Sequence, residues 1–188
     1  MRILSLFFLS CLSLSASAKW QLSNEASQVN FISIKKNSIA EIHHFKQLAG
    51  SISEQGKVEF TIDLASVETN IPIRNERMQT FLFETAKYAK AMFSAQIDMA
   101  LVTKIASGQS ETMTISGALD LHGQKQNITT DVLVTKKSTG EVTVTSIEPI
   151  IVNAADFELV KGINKLQELA KLPSIAVAVP VTFQLTFK

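Results

Sequence analysis

The chain has 188 residues, 46% of them hydrophobic, with 18 Lys and Arg against 17 Asp and Glu and a formal net charge of +1. Near-neutrality excludes the electrostatic footprint of a nucleic-acid binder. A single cysteine excludes a disulfide framework and Cys/His metal clusters.

The N-terminus reads as an export signal. Arg2 is a short positive region, Ile3 to Leu14 is an apolar run, and Ala16-Ser17-Ala18 is a small-residue cleavage site. The apolar run is too short to span a bilayer. Cleavage after Ala18 divides the chain into a signal peptide, 1–18, and one mature domain, 19–188, which is periplasmic or secreted. Loss of Arg2 leaves 17 basic against 17 acidic residues and a neutral mature chain. Cys11 goes with the signal; Phe8-Leu9-Ser10 before it is a poor site for lipid attachment. No later stretch is long and apolar enough to cross a membrane, and no repeat, low-complexity tract or linker is present.

The mature chain alternates in steps of two. Val29 and Phe31 begin the pattern, and Ile42 continues it weakly. Val58, Phe60, Ile62 and Leu64 show it clearly. Phe93, Ala95, Ile97, Met99 and Leu101 follow, then Met113, Ile115, Gly117, Leu119 and Leu121. Ile128, Thr130, Val132 and Val134 come next, with Val142 and Val144 after them. The last run is the strongest: Ile175, Val177, Val179, Val181, Phe183, Leu185 and Phe187. Period two places one face of each strand in an apolar interior. Turn signals at Glu54-Gln55-Gly56, Ser107-Gly108, His122-Gly123 and Thr139-Gly140 separate about eight strands.

Two segments have helical spacing. In "NIPIRNERMQTFLFETAKY", residues 70–88, Asn70 is the expected N-cap and Pro72 suits the first turn. Met78, Phe81 and Leu82 then form an apolar stripe able to cover a barrel mouth. In "GINKLQELAKLP", Asn164 and Gln167 have capping-box spacing, Ile163 suits a staple, and Pro173 stops the helix. The fold class is therefore all-β: an eight-stranded antiparallel up-and-down barrel with one or two short helices. Closure removes the edges that would otherwise aggregate.

Catalytic chemistry is not legible, and the chain reads as a non-enzyme. There is no nucleophile elbow, zinc-protease motif or phosphate loop. His43 and His44 are adjacent on a strand and point to opposite faces. Glu41 and His43 share a face, but the sequence places no further metal ligands beside them. His122 belongs to a turn. Asn127-Ile128-Thr129 is a glycosylation sequon, relevant only to a eukaryotic cell. Neither a metal nor a cofactor is expected.

The aromatic residues carry more information. Eleven Phe stand against one Tyr and one Trp. An interior of this kind is either filled with side chains or lined around one small ligand, and an eight-stranded barrel is wide enough for either. The residues assigned to the interior or its mouth are Phe31, Phe45, Phe60, Ile62, Met78, Phe81, Leu82, Phe93, Ile97, Leu119, Val181, Phe183 and Leu185. Arg74 and Arg77 precede the apolar stripe by one turn. They suit either the polar head of a lipid or ion pairs with Glu76, Glu84 or Asp63 that pin the segment down. Arg74 is assigned to the pin and Arg77 to the rim of the mouth.

"HFKQLAGSISEQGKVEFTIDLASVETNIPIRNERMQTFLFETAKYAKAMFSAQI" resembles the core of the YceI-like family of exported lipid-binding proteins. The matching features are Phe45, Gly50, Val58, Phe60, Ile62, Ala65-Ser66-Val67, Thr69, Arg74-Asn75-Glu76-Arg77-Met78, Leu82-Phe83, Tyr88 and Phe93. "SGALDLHGQKQNITTDV", Asp156-Phe157 and the final strand extend the likeness over nearly all of the mature chain. Asn75, Ala89 and the pair Ala154-Ala155 depart from the aspartate, proline and arginine common in the family. The resemblance implies a lipocalin-like barrel that binds a long apolar chain, a polyisoprenoid or quinone-type lipid, with no catalytic residues. The alternative is an envelope structural or interaction module with a packed barrel. A membrane or envelope partner fits either reading, and the oligomeric state is not legible.

Overall fold

The computed structural model describes residues 18–188. Residues 1–17 of the expected export segment, with Arg2 and Cys11, lie outside the described residues. The strands are β1 (Ala18–Gln21), β2 (Gln28–Lys35), β3 (Ile39–Phe45), β4 (Leu48–Ser53), β5 (Lys57–Asp63), β6 (Val67–Glu68), β7 (Lys90–Gln96), β8 (Ser110–Leu121), β9 (Gln124–Lys136), β10 (Val142–Ser146), β11 (Ile150–Asn153) and β12 (Ala178–Phe187). The helices are α1 (Pro72–Arg77), α2 (Met99–Lys104) and α3 (Val160–Leu169).

All ladder pairings are antiparallel, in the order β1-β4-β5-β7-β8-β9-β10-β12-β2-β3-β6, with β11 also on β12. Twelve strands replace the expected eight, and the reason is local. β1 and β2 are one line broken by a single turn at Asn24–Ala26. β3 and β4 are one line broken at Lys46-Gln47, and β10 and β11 one line broken at Ile147–Pro149. β6 is a two-residue appendage on β3. Eight lines remain, close to the number of alternating runs in the sequence.

The first two breaks are stitched together. The Asn24 side chain accepts a hydrogen bond from Leu48 N–H at 2.7 Å and donates to the Lys46 carbonyl at 3.1 Å. The ladder closes at this end, because Gln21 and Lys188 exchange both backbone hydrogen bonds at 2.8 Å while β1 also pairs with β4. Closure pairs strand edges that would otherwise stand open at this end.

The helices close the two ends. α1 runs directly into one π-turn, Met78–Leu82, and this lid lies at the end where β5 stops and β7 starts. α3 packs on the π-turn. A Cβ on Gly162 would lie 2.4 Å from the Phe81 carbonyl oxygen and 2.7 Å from the Leu82 Cα, so the two segments touch backbone to backbone. α2 lies at the opposite end, between β7 and β8, and buries Val102, with Ile105 buried just after it.

Several boundaries differ from the sequence reading. The strand expected to run to Leu101 stops at Gln96, because Asp98 caps α2 by accepting from Ala100 N–H at 2.8 Å. A third helix is the result, where one or two were expected. α1 is preceded by Ile71 as N-cap, and Asn70 instead adopts a left-handed backbone with its N–H on Glu68. α3 begins at Val160, so the capping box expected at Asn164 does not form; Gln167 donates to the Pro173 carbonyl.

The register of the last strand is the one expected. Val179, Val181, Phe183, Leu185 and Phe187 face the interior, and Gln184 is exposed. Phe183→Asp is expected to cost more than about 4 kcal/mol in urea unfolding, because it places an unpaired carboxylate in an apolar wall. Gln184→Asp is expected to stay within about 0.5 kcal/mol; the reverse order would invert the register. Gly162→Ala is expected to cost about 1–3 kcal/mol, as overpacking does where neither backbone can yield. An unchanged urea midpoint for that variant would mean the lid does not rest on α3.

Candidate functional site

Strand alternation sends one apolar face of every line inward, and those faces do not fill the space they enclose. An internal cavity of about 260 Å³ remains. Phe31, Phe45, Phe60, Ile62, Leu82, Phe93, Ile97, Leu119, Val181, Phe183 and Leu185 all lie in its wall. Among the described residues of the wall, Thr130 alone carries a polar side-chain atom. A cavity of this character stays dry: an engineered apolar cavity of about 150 Å³ excludes water and takes up benzene.

Two residues assigned to the interior or its mouth lie off this wall. Met78 is buried beneath the lid, and Phe81 is 39% exposed. The cause is the π-turn. Phe83 N–H bonds the Met78 carbonyl at 2.9 Å, so the repeat widens and residues four and five apart share a face. Met78, Leu82 and Phe83 therefore turn inward together, and Phe83 takes the place expected of Phe81. α-Helical spacing gives no sign of this. Residues whose place in the wall sequence reasoning missed also include Val132 and Val134, which stood in the inward pattern but were not assigned, and Val102, whose helix was not foreseen.

The rings within the wall pack in series. Phe31 and Phe45 lie 5.3 Å apart between centroids, and Phe45 and Phe83 5.8 Å apart. His43 meets Phe31 edge-on at 5.3 Å and is 2% exposed, so the adjacent His43 and His44 do face opposite ways. Burial, and then the nearby Arg74 guanidinium, hold the His43 imidazole below its ordinary pKa.

Arg74 is a pin. One Nη donates to Glu41 Oε2 on β3 at 2.8 Å and the other to the Thr69 carbonyl at 2.6 Å. The partner is Glu41, not Glu76, Glu84 or Asp63. Glu41 also pairs with Lys35 at 2.8 Å; the Lys35 bond first, and then Arg74, keep its carboxyl below the usual range. Glu41 and His43 share a face as expected, but arginine and lysine occupy it. Among the described residues no cluster of three or more metal-ligating side chains is present. Arg77 is half-buried and forms no ion pair among the described residues.

Asn75 explains one departure from the family pattern. Its Oδ1 accepts from Thr69 N–H at 2.9 Å and Thr69 Oγ1 at 2.5 Å, while its Nδ2 donates to Glu68 Oε1 at 3.0 Å. An aspartate here would oppose the Glu68 carboxylate. Asn75, then Lys46 and the Asn70 N–H, hold Glu68 down to about 2. At the other end of the lid, Glu84 meets His122 at 2.8 Å, and the Tyr88 ring lies against His122, tilted by 48°, with centroids 4.2 Å apart. His122 occupies the β8–β9 turn, as its sequence predicted, but it is buried there. Of the other departures, Ala154 lines the cavity with a methyl group.

Arg74→Ala is expected to lower stability by roughly 1–2 kcal/mol, a charged hydrogen bond discounted for partial exposure. An unchanged melting temperature would remove the pin. Acid should loosen the same lid. His43, Glu41 and Glu68 all have folded pKa values below their unfolded ones. Each therefore contributes stability above its unfolded value that is lost as pH falls. The decline should begin below pH 6.5 through His43 and continue below 4.5 through Glu41 and Glu68, reaching about 2 for Glu68. Glu68→Gln should flatten the lower part of that curve in thermal melts, and a parallel curve would contradict the assignment.

A family model for the YceI-like domain matches residues 20–187. A polyisoprenoid binding domain from Saccharophagus degradans implicated in plant cell wall breakdown is 39% identical, with a TM-score of 0.90 over 92% of this chain and 99% of that one. BcnA of Burkholderia cenocepacia is 20% identical, with a TM-score of 0.69 over 88% of this chain and 98% of that one. The Campylobacter jejuni YceI protein is 16% identical, with a TM-score of 0.56 over 97% of each chain. The last two share the fold. Comparison with curated proteins gave no match. With the family model spanning all of the barrel but its outermost residues, and the lipocalin-like architecture common to these structures, the chain belongs to the YceI-like family.

Proposed function

We propose that this protein is an exported carrier that sequesters a long apolar lipid, a polyisoprenoid or quinone-type chain, inside its barrel. The observation that carries the reading is a 260 Å³ cavity whose wall offers only apolar surface, Thr130 included. Such a wall recognises length and apolarity. It has no groups to polarise a bond or move a proton, so the chemistry it favours is burial rather than catalysis. Each CH₂ moved from water into it contributes roughly 0.8 kcal/mol. The cost of ordering the chain opposes this gain. The Saccharophagus degradans relative, named for polyisoprenoid binding, supports the same ligand class.

Export is part of the proposal. It rests on Arg2, the apolar run and Ala16-Ser17-Ala18, and places the carrier in the periplasm or outside the cell. There a lipid tail needs shielding from water between one membrane or envelope partner and another. The alternative, a packed envelope module, is disfavoured by the volume the side chains leave empty.

Native mass spectrometry of protein purified gently from its own cells tests the reading. The expected spectrum shows a complex heavier than the polypeptide by one isoprenoid-type lipid, released by organic solvent. A bare polypeptide mass that no added polyprenol shifts would contradict it.

A further inference from the structure

The barrel wall is not hydrogen-bonded throughout. β9 pairs with β10 over Val132–Lys136, and Ile147 N–H to the Asp131 carbonyl at 3.1 Å is the final rung. Two residues later Pro149 has no N–H to offer, and β11 pairs with β12. Among the described residues no ladder pair joins β9 to β11. Beyond this gap Gln126 Nε2 donates to the Asp156 carbonyl at 3.1 Å and ties the two sides together again. The interval from Gln126 to Asp131 spans ~17 Å of strand.

An outer cleft of about 410 Å³ lies over this interval, between residues 127–131 and 148–151. Ile128, Thr130 and Ile150 belong both to the cleft and to the wall of the inner cavity. These three residues therefore stand between the two spaces. Ile151, in the cleft, is 59% exposed, and Ile147 beside it 50%. The ionisable residues of the cleft are Asp131 and Glu148, and no Lys, Arg or His lines it.

We propose that this window is the lateral portal through which the apolar chain enters the barrel, and that the ligand's polar end rests in the outer cleft and bears a hydroxyl or amine rather than a phosphate or carboxylate. The proposal rests on the lipid-binding reading. Entry beneath the lid would have to undo the Arg74–Glu41 and Glu84–His122 contacts. Opening the window needs only side-chain rotation at Ile128, Thr130 and Ile150, which breaks no ladder hydrogen bond. An anionic head in the cleft would face two carboxylates with no compensating cation, whereas a hydroxyl finds acceptors there.

Retinol, a fluorescent isoprenoid alcohol, is the probe, with retinoic acid as its carboxylate counterpart. In a Cys11→Ser background, Thr129→Cys and Ile151→Cys each take a bulky maleimide on the outer surface of the window, and Ile42→Cys takes it elsewhere. Labelled window variants are expected to take up retinol at least tenfold more slowly than the labelled Ile42→Cys control, with unchanged melting temperature. Equal rates would overturn the portal. No uptake by the unlabelled protein would overturn the binding reading together with it. Wild type is expected to bind retinoic acid several-fold more weakly than retinol at neutral pH, and Asp131→Asn with Glu148→Gln to close that gap. Equal affinities in wild type, or a gap that survives both substitutions, would overturn the head assignment.

Discussion

The closed antiparallel ladder is the constraint from which the rest follows. Once Gln21 and Lys188 join the first and last strands, every strand must send alternate side chains to one interior. The number of lines then sets the width of that interior, and the side chains cannot change it. With Val, Ile, Leu and Phe on the inner faces the space is apolar, and with this many lines it is not filled. A cavity in this protein is thus a consequence of closure, and its chemistry a consequence of period-two alternation.

The polar chemistry lies at the lid instead. Arg74, Glu41, Asn75, Glu68 and Thr69 form one hydrogen-bonded group at its start, and Glu84, Tyr88 and His122 another at its end. Between them the π-turn presses Met78, Leu82 and Phe83 down while α3 holds it from the other side through Gly162. The charged-then-apolar order of residues 70–88 is explained by this division. Its first part anchors the lid to β3 and β6, and its second seals the cavity. The arginine that resembles a head-group ligand in sequence spends both terminal nitrogens on the anchor.

Much of this was legible because long strands repeat one signal many times. β8, β9 and β12 each carry four or five inward residues at spacing two, and the structure puts them in the wall. What was not legible depends on single contacts. The breaks at Asn24 and Lys46 are held by one side chain, and nothing local marks that pairing. Glu41 lies 33 residues from Arg74, beyond the reach of spacing arguments that looked to nearer acids. Phe81 and Phe83 exchange roles through one widened turn, and α2 replaces strand because Asp98 caps it. Local pattern therefore gave the faces and the lid, while the latches came from tertiary pairing.

On the proposed function the interior, and not the outer surface, receives an apolar chain. Methyl NMR of the protein titrated with a polyprenol addresses it directly. Val132, Val134, Ile115 and Leu185 line the cavity, whereas Ile42 and Leu101 are exposed. The first group is expected to shift and saturate at one equivalent while the second stays unchanged. Shifts confined to Ile42 and Leu101, with the cavity methyls unmoved, would contradict it.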